Sequence, residues 1–222
     1  MTRRDPRPWR REAPLAVAHR GQRATFPEQT LEAYRAAIDL GADGIEVDVQ
    51  MSSDGELVMV HDLTLDRTTD GHGPVAAADW RTLRRLDAGS WFDPRFAGCR
   101  IPSLDETIDL AIAADVVLCV EIKGDPRAAV RTATAVASQL RSRGLEDTVF
   151  VSSFDHAALA WVRHVSDRLL LAPERLPESG AADADAAVRQ ARALGATVLQ
   201  HRWEDLTPAV VDALHAAGTG VW

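Results

Sequence analysis

Glu46, Asp48 and His61 stand within one hydrophobic stretch, GIEVDVQMSSDGELVMVHD (44–62), and Glu121 and Lys123 close a second, VVLCVEIK (116–123). His19 and Arg20 follow from a third, LAVAH (15–19). Side chains alternate along a strand, so Glu46 and Asp48 share one face while Ile45, Val47 and Val49 share the other. The same parity pairs Glu121 with Lys123. Three carboxylates converging in a partly dry space repel one another and are costly to desolvate unless protonated, paired or metal-bound. One divalent cation resolves this, and all-oxygen ligation favours Mg²⁺ or Ca²⁺ over zinc. Three carboxylates, a dication, Arg20 and Lys123 sum formally to about +1, which suits a monoanion such as a phosphodiester. His19 and His61 add a pair for acid–base work, since an imidazole with an unperturbed pKa near ~6.5 can accept or donate a proton.

An isolated acidic residue in a strand is ordinarily a solvent-face residue; three on one inward parity, beside two histidines, are not. Lys123 has a plainer role open to it, neutralising Glu121. His201 ends a strand and is a further candidate for the site. Phe154 and Trp91 are candidates for a pocket wall, with core packing as the alternative. His72, His156, His164 and His215 fall in loops or helices and are expected at the surface.

The elements that must position these residues are seven β-rich runs, at 15–19, 44–49, 116–123, 148–153, 168–173, 197–201 and 219–222, most of them separated by helical patterns. Residues 28–40 place Leu31, Tyr34 and Ile38 on one face. Residues 126–143 follow Asp125-Pro126, group Val130, Ala133, Ala137 and Leu140, and stop at Gly144. Ser103 with Glu106 forms a capping box, and Thr207-Pro208 opens a helix with Val211 and Leu214 inward. Strands alternating with helices predict a parallel sheet, and seven short ones in a single domain over 1–222 predict a (β/α)-barrel of the TIM type. No Gly-x-Gly-x-x-Gly follows the first strand. The carboxylates then point inward near the C-terminal strand ends, where barrel enzymes place their sites.

About 65 residues separate the second run from VVLCVEIK, more than one loop and helix need. Only SSDG joins GIEVDVQM to ELVMVH, too short for a parallel crossover, so the two form an antiparallel hairpin. A turn near Asp54 sets Asp48 opposite Val60 and brings His61 level with the acidic pair. Residues 51–102 read as an inserted subdomain with a short helix near Trp80–Leu86, capping the barrel mouth.

The net charge of −8 argues against general nucleic-acid affinity. No apolar run approaches the ~18–20 residues of a membrane span. The opening MTRRDPRPWRREAP lacks an apolar stretch behind its basic residues and reads as an N-terminal arm (1–13) rather than a secretory signal. Two cysteines are too few for a disulfide framework; Cys119 reads as a small buried thiol, and a cytoplasmic location is expected.

The segments AHRG (18–21), PEQT (27–30), GADGIEVDVQMSSDGELVMVHD (41–62), LTLDRTT (63–69), IPSLDE (101–106), EIK (121–123) and SSF (152–154), in this order, resemble the glycerophosphodiester phosphodiesterase family. The resemblance implies a (β/α)₈ barrel with an insertion after the second strand and one divalent cation on Glu46, Asp48 and Glu121. It also implies acid–base roles for His19 and His61, and places Arg20, Glu28 and Lys123 near the phosphate and metal. The implied activity is hydrolysis of a small-molecule glycerophosphodiester to sn-glycerol 3-phosphate and an alcohol, in glycerophospholipid degradation. Alternatives are a cyclising phospholipid phosphodiesterase and a non-catalytic phosphodiester-binding protein. Two departures accompany the resemblance. Gln29 stands where the family has a shorter amide, and the chain stops at Trp222, before the segment that carries the family's eighth strand. A barrel truncated there is expected to have open edges, and to be less stable than an extended form or completed by another chain. Oligomeric state is not set by the sequence.

Overall fold

The computed structural model describes residues 14–176 and 183–222, so the arm expected over 1–13 lies outside the described residues. Each short apolar run becomes a strand, and the helices begin at side-chain caps. In order these are β1 (Val17–His19), α1 (Leu31–Asp39), β2 (Gly44–Met51), β3 (Leu57–Met59), α2 (Trp80–Leu83), α3 (Leu104–Ala114), β4 (Val117–Ile122), α4 (Pro126–Ser142) and β5 (Val149–Ser152). There follow α5 (His156–Val165), β6 (Leu170–Leu171), α6 (Ala184–Leu194), β7 (Val198–Leu199), α7 (Pro208–Ala216) and β8 (Gly220–Val221). Thr30, Ser103, Asp125 and Thr207 each accept a backbone N–H of the first turn, which is why α1, α3, α4 and α7 start where they do. Ser103 and Glu106 complete the reciprocal capping box.

The sheet runs β1-β2-β4-β5-β6 in parallel, with β3 antiparallel to β2. Thr197 N–H donates to Leu171 O at 2.8 Å and Gln200 N–H to Pro173 O at 3.0 Å, which carries the arc from β6 to the parallel pair β7-β8. Seven parallel strands therefore succeed one another among the described residues. Leu15, before β1, and Trp222, after β8, pack on the same cluster as Phe150, so the arc curls into a barrel and its two ends approach. The Phe150 and Trp222 ring centroids are 4.8 Å apart.

The two faces of the strands have different fates. Ile45, Val47, Val49, Leu118, Val120, Ile122, Val149 and Val151 face outward and pack with Tyr34, Ile108, Val136, Leu140 and Leu159 of the helices. Inward positions turn from apolar to polar along each strand: Cys119 then Glu121 on β4, Phe150 then Ser152 on β5, Ala172 then Glu174 after β6. The C-terminal mouth is thus the polar end of an apolar interior. The predicted hairpin is present with its register: Val49 pairs with Met59, and Val60 N–H donates to Asp48 O at 3.1 Å. Val58, Val60, Leu65, Val75, Leu83, Ala88 and Ile101 form a hydrophobic cluster of their own beside the barrel. Two helix faces differ in detail. Val210, rather than Val211, is fully buried with Leu214, and Val136, rather than the half-buried Val130, is fully buried on the inner face of α4.

Candidate active site

Glu46 and Asp48 point inward from β2 and Glu121 from the adjacent β4; the register pairs Asp48 directly with Glu121. One carboxylate oxygen of each lies within 4.8 Å of the others, and all three residues are buried. Burial, then repulsion from Asp48 and Glu121, pushes the Glu46 carboxyl well above the ordinary range. Burial likewise raises Glu121, against the pull of Lys123. Among the described residues, the buried Glu46 Oε1 has no hydrogen-bond partner. An unpartnered carboxylate oxygen facing two further carboxylates is the donor set a hard divalent cation takes, so the residues present fit such an ion.

Two cations from the chain partly balance the cluster. Lys123 Nζ lies 3.0 Å from Asp48 Oδ1 and 2.5 Å from Glu121 Oε1; burial opposes its charge, but the two carboxylates outweigh burial and raise its pKa. Arg20 Nε lies 3.1 Å from Asp48 Oδ2, and its Nη1 donates to Glu28 Oε1 at 3.1 Å. Arg20 has φ +59°, a left-handed conformation uncommon for a residue with a side chain. Its N–H donates to Glu46 O at 3.0 Å and sits 3.2 Å from Glu46 Oε2, bonds that hold the turn. Gly21 follows at φ +79°, where an added Cβ would fall 2.7 Å from the Ala33 backbone, so this turn presses against α1 and requires glycine.

The two histidines flank the carboxylates. His19 Nε2 is 3.8 Å from Glu46 Oε2, with half of its side chain exposed; burial, then Arg20 and Arg23, lowers its pKa. His61 lines a cavity of about 490 Å³ together with Glu121, Lys123, Ser153 and Phe154. Phe154 is 58% exposed, and Lys123 Nζ lies 5.7 Å from its ring centroid, so it walls the cavity and is not part of the core. Trp91 stacks edge-on to Phe92 and is not among the residues lining this cavity.

His201 is not brought to the carboxylates. β7 ends at Leu199, Gln200 takes the next inward position, and the half-buried His201 ring sits 3.2 Å from Leu199 O. His156, expected at the surface, is half-buried, with Nε2 donating to Glu174 O at 2.8 Å. The exposed His72, His164 and His215 lie where expected.

The family model for glycerophosphoryl diester phosphodiesterases matches residues 19–222. The chain belongs to that family. It is 39% identical over 155 residues to the glycerophosphodiester phosphodiesterase of Caldanaerobacter subterraneus subsp. tengcongensis, an alignment covering 70% of this chain and 64% of that protein. The matched portion is thus just under two thirds of the relative's length. Among solved structures, a glycerophosphodiester phosphodiesterase from Agrobacterium tumefaciens superposes with TM-score 0.78 at 29% identity, covering 92% of this chain and 84% of the other. A phosphodiesterase from Oleispira antarctica, solved in complex with its product sn-glycerol-3-phosphate, superposes with TM-score 0.83 at 29% identity over 94% and 83% of the two chains.

For a member of this family the departure at Gln29 has a structural consequence. The longer amide, at φ +58°, donates from Nε2 to Asp48 Oδ2 at 2.5 Å and accepts the hydroxyl of the buried Tyr34 on Oε1. A core tyrosine thereby supports the central carboxylate through one amide. Arg67 was missed for a different reason. It lies 39 positions from Glu28 in sequence, yet its Nη2 donates to Glu28 Oε1 at 2.8 Å, and no local pattern signals such a contact. Glu174 was legible in principle, through inward parity with Leu170 and Ala172. Burial, then Glu121, pushes its carboxyl up to about 7 against the attraction of Lys123.

Proposed function

We propose that this protein hydrolyses glycerophosphodiesters to sn-glycerol 3-phosphate and an alcohol, with one divalent cation, Mg²⁺ or Ca²⁺, held by Glu46, Asp48 and Glu121. The observation that carries this reading is the convergence of three buried carboxylates at the barrel mouth, with Glu46 Oε1 lacking a partner among the described residues, beside two histidines and two cationic side chains. The names of the relatives and the product bound in the Oleispira antarctica structure support the same chemistry. A bound dication would neutralise the carboxylates and polarise a phosphoryl oxygen.

The chain's own residues supply the remainder. Lys123, beside Glu121 and on the cavity wall, and Arg20, fixed by Glu28, offer positive charge to the phosphodiester. Of His19 and His61, one takes the proton of the attacking nucleophile and the other protonates the departing alkoxide. Phe154 gives the leaving alcohol or the glycerol an apolar wall. Residues 51–102, packed as a cluster beside the mouth, form the insertion that contributes His61. His19→Ala and His61→Ala are each expected to lower kcat by at least ~10²-fold with the fold intact. Near-normal turnover of either variant would remove that histidine from the mechanism.

A further inference from the structure

A chain of alternating charges joins the insertion to the barrel. His61 Nδ1 lies 2.6 Å from Asp62 Oδ1. Arg67 grips the same carboxylate with both arms of its fork, Nε to Oδ2 at 2.6 Å and Nη2 to Oδ1 at 2.9 Å. Arg67 Nη2 also reaches Glu28 Oε1 at 2.8 Å, and Glu28 in turn holds Arg20 at 3.1 Å. An ionised carboxylate offers acceptors alone, so the hydrogen in the His61–Asp62 contact belongs to Nδ1. Arg67 bonding keeps Asp62 far below the usual carboxylate range, so it stays ionised at every working pH.

We propose that Asp62 and Arg67 are a positioning pair for His61: Asp62 fixes the Nδ1–H tautomer, and Arg67 locks Asp62 to Glu28 on the β1–α1 loop. Neutral His61 then presents the lone pair of Nε2, and protonated His61 presents Nε2–H, so one nitrogen serves either direction of proton transfer. The lock also makes the orientation of His61 depend on contact between the insertion and the loop that carries Arg20. A bidentate guanidinium–carboxylate pair has one preferred plane, which gives Asp62 a defined direction that a single-point contact would not. This inference rests on the functional reading above, because it assigns His61 a proton to move.

Two measurements test it. Long-range ¹H–¹⁵N correlation on the ¹⁵N-histidine-labelled 222-residue protein at pH 8, with His61→Gln to assign the signals, is expected to show His61 as the Nδ1–H tautomer. An Nε2–H tautomer would overturn the proposal, and this result needs no turnover. Kinetically, Asp62→Asn is expected to lower kcat on glycerophosphocholine by roughly 10²-fold while KM changes by less than about threefold. Arg67→Lys is expected to retain several-fold more kcat than Arg67→Ala. A purely structural ion pair would instead give Asp62→Asn unchanged kcat, or equal losses in Arg67→Lys and Arg67→Ala with the wild-type tautomer kept, and either result overturns the proposal. Absence of wild-type turnover with Mg²⁺ and with Ca²⁺ counts against the hydrolase reading and leaves the tautomer to decide this one.

Discussion

Replacing Glu46 by glutamine separates the electrostatic cost of the acidic cluster from its use. Three carboxylates facing Arg20 and Lys123 leave a net −1 in the cation-free protein, and Glu46→Gln brings that sum to zero. The ionised Glu46 is buried and repelled by Asp48 and Glu121, and its folded-state pKa lies well above 4.5. The folded protein therefore holds this proton more tightly than the unfolded chain, and without a cation stability falls as pH rises above 4.5. At pH 8 in EDTA, Glu46→Gln should melt at or above the wild type, by a margin on the order of 1–3 kcal/mol, the cost of an unsatisfied buried polar group. A cation that binds only the folded state at one hundred times its Kd adds about 2.7 kcal/mol. At roughly 2–4 °C per kcal/mol for a chain of this size, wild-type Tm should rise by about 5–11 °C on adding Mg²⁺ or Ca²⁺. Glu46→Gln, lacking one of three donors, should keep less than about 2 °C of that gain. Differential scanning calorimetry of both proteins, with EDTA and with each cation, reads these shifts. A variant less stable than wild type in EDTA that still shows the full cation-induced rise would refute the reasoning.

Further predictions concern the rest of the site. Burial pushes the Glu174 carboxyl in the fold from the ordinary 4.5 up to about 7. At roughly 1.4 kcal/mol per pH unit, its stabilising contribution is present below pH 4.5 and decays, by on the order of 3 kcal/mol, as pH rises to about 7. Glu174→Gln should therefore raise Tm in EDTA at pH 8 and not at pH 4.5; an equal shift at both would contradict it. Tyr34→Phe leaves Gln29 Oε1 without its buried donor and should cost about 1–3 kcal/mol in urea unfolding, with no change in m-value. Phe154→Ala, at a largely exposed position, should change stability by less than about 0.5 kcal/mol and raise KM more than it lowers kcat. A fall in kcat alone would place Phe154 outside substrate binding.

Much of the site was legible because strand parity and hairpin length are local rules. GIEVDVQM places its carboxylates on one face wherever the strand packs, and SSDG is too short for any geometry but a hairpin, so the pairing of Asp48 with Val60 follows from counting. Position at the end of a run was a weaker guide than parity: in TVLQH the inward Val198 puts Gln200, and not His201, on the inward side. Contacts made by loops were not legible. Gln29 reaches Asp48 only because the backbone at Arg20 and Gln29 takes left-handed conformations, and Arg67 reaches Glu28 only because the insertion folds back over the β1–α1 loop. The inward turn from apolar to polar along each strand was visible in the strings LCVEIK and LLLAPE, but its meaning depends on knowing which strand end is the mouth.

Hydrolysis is tested most directly by the first product formed from glycerophosphocholine, followed by ³¹P NMR with Mg²⁺ or Ca²⁺ present and then chelated. The predicted result is sn-glycerol 3-phosphate as the first phosphorus species, formed only with the cation and lost in Glu121→Gln. A cyclic phosphate appearing first, or calorimetric binding of the diester with no turnover under either cation, would contradict it.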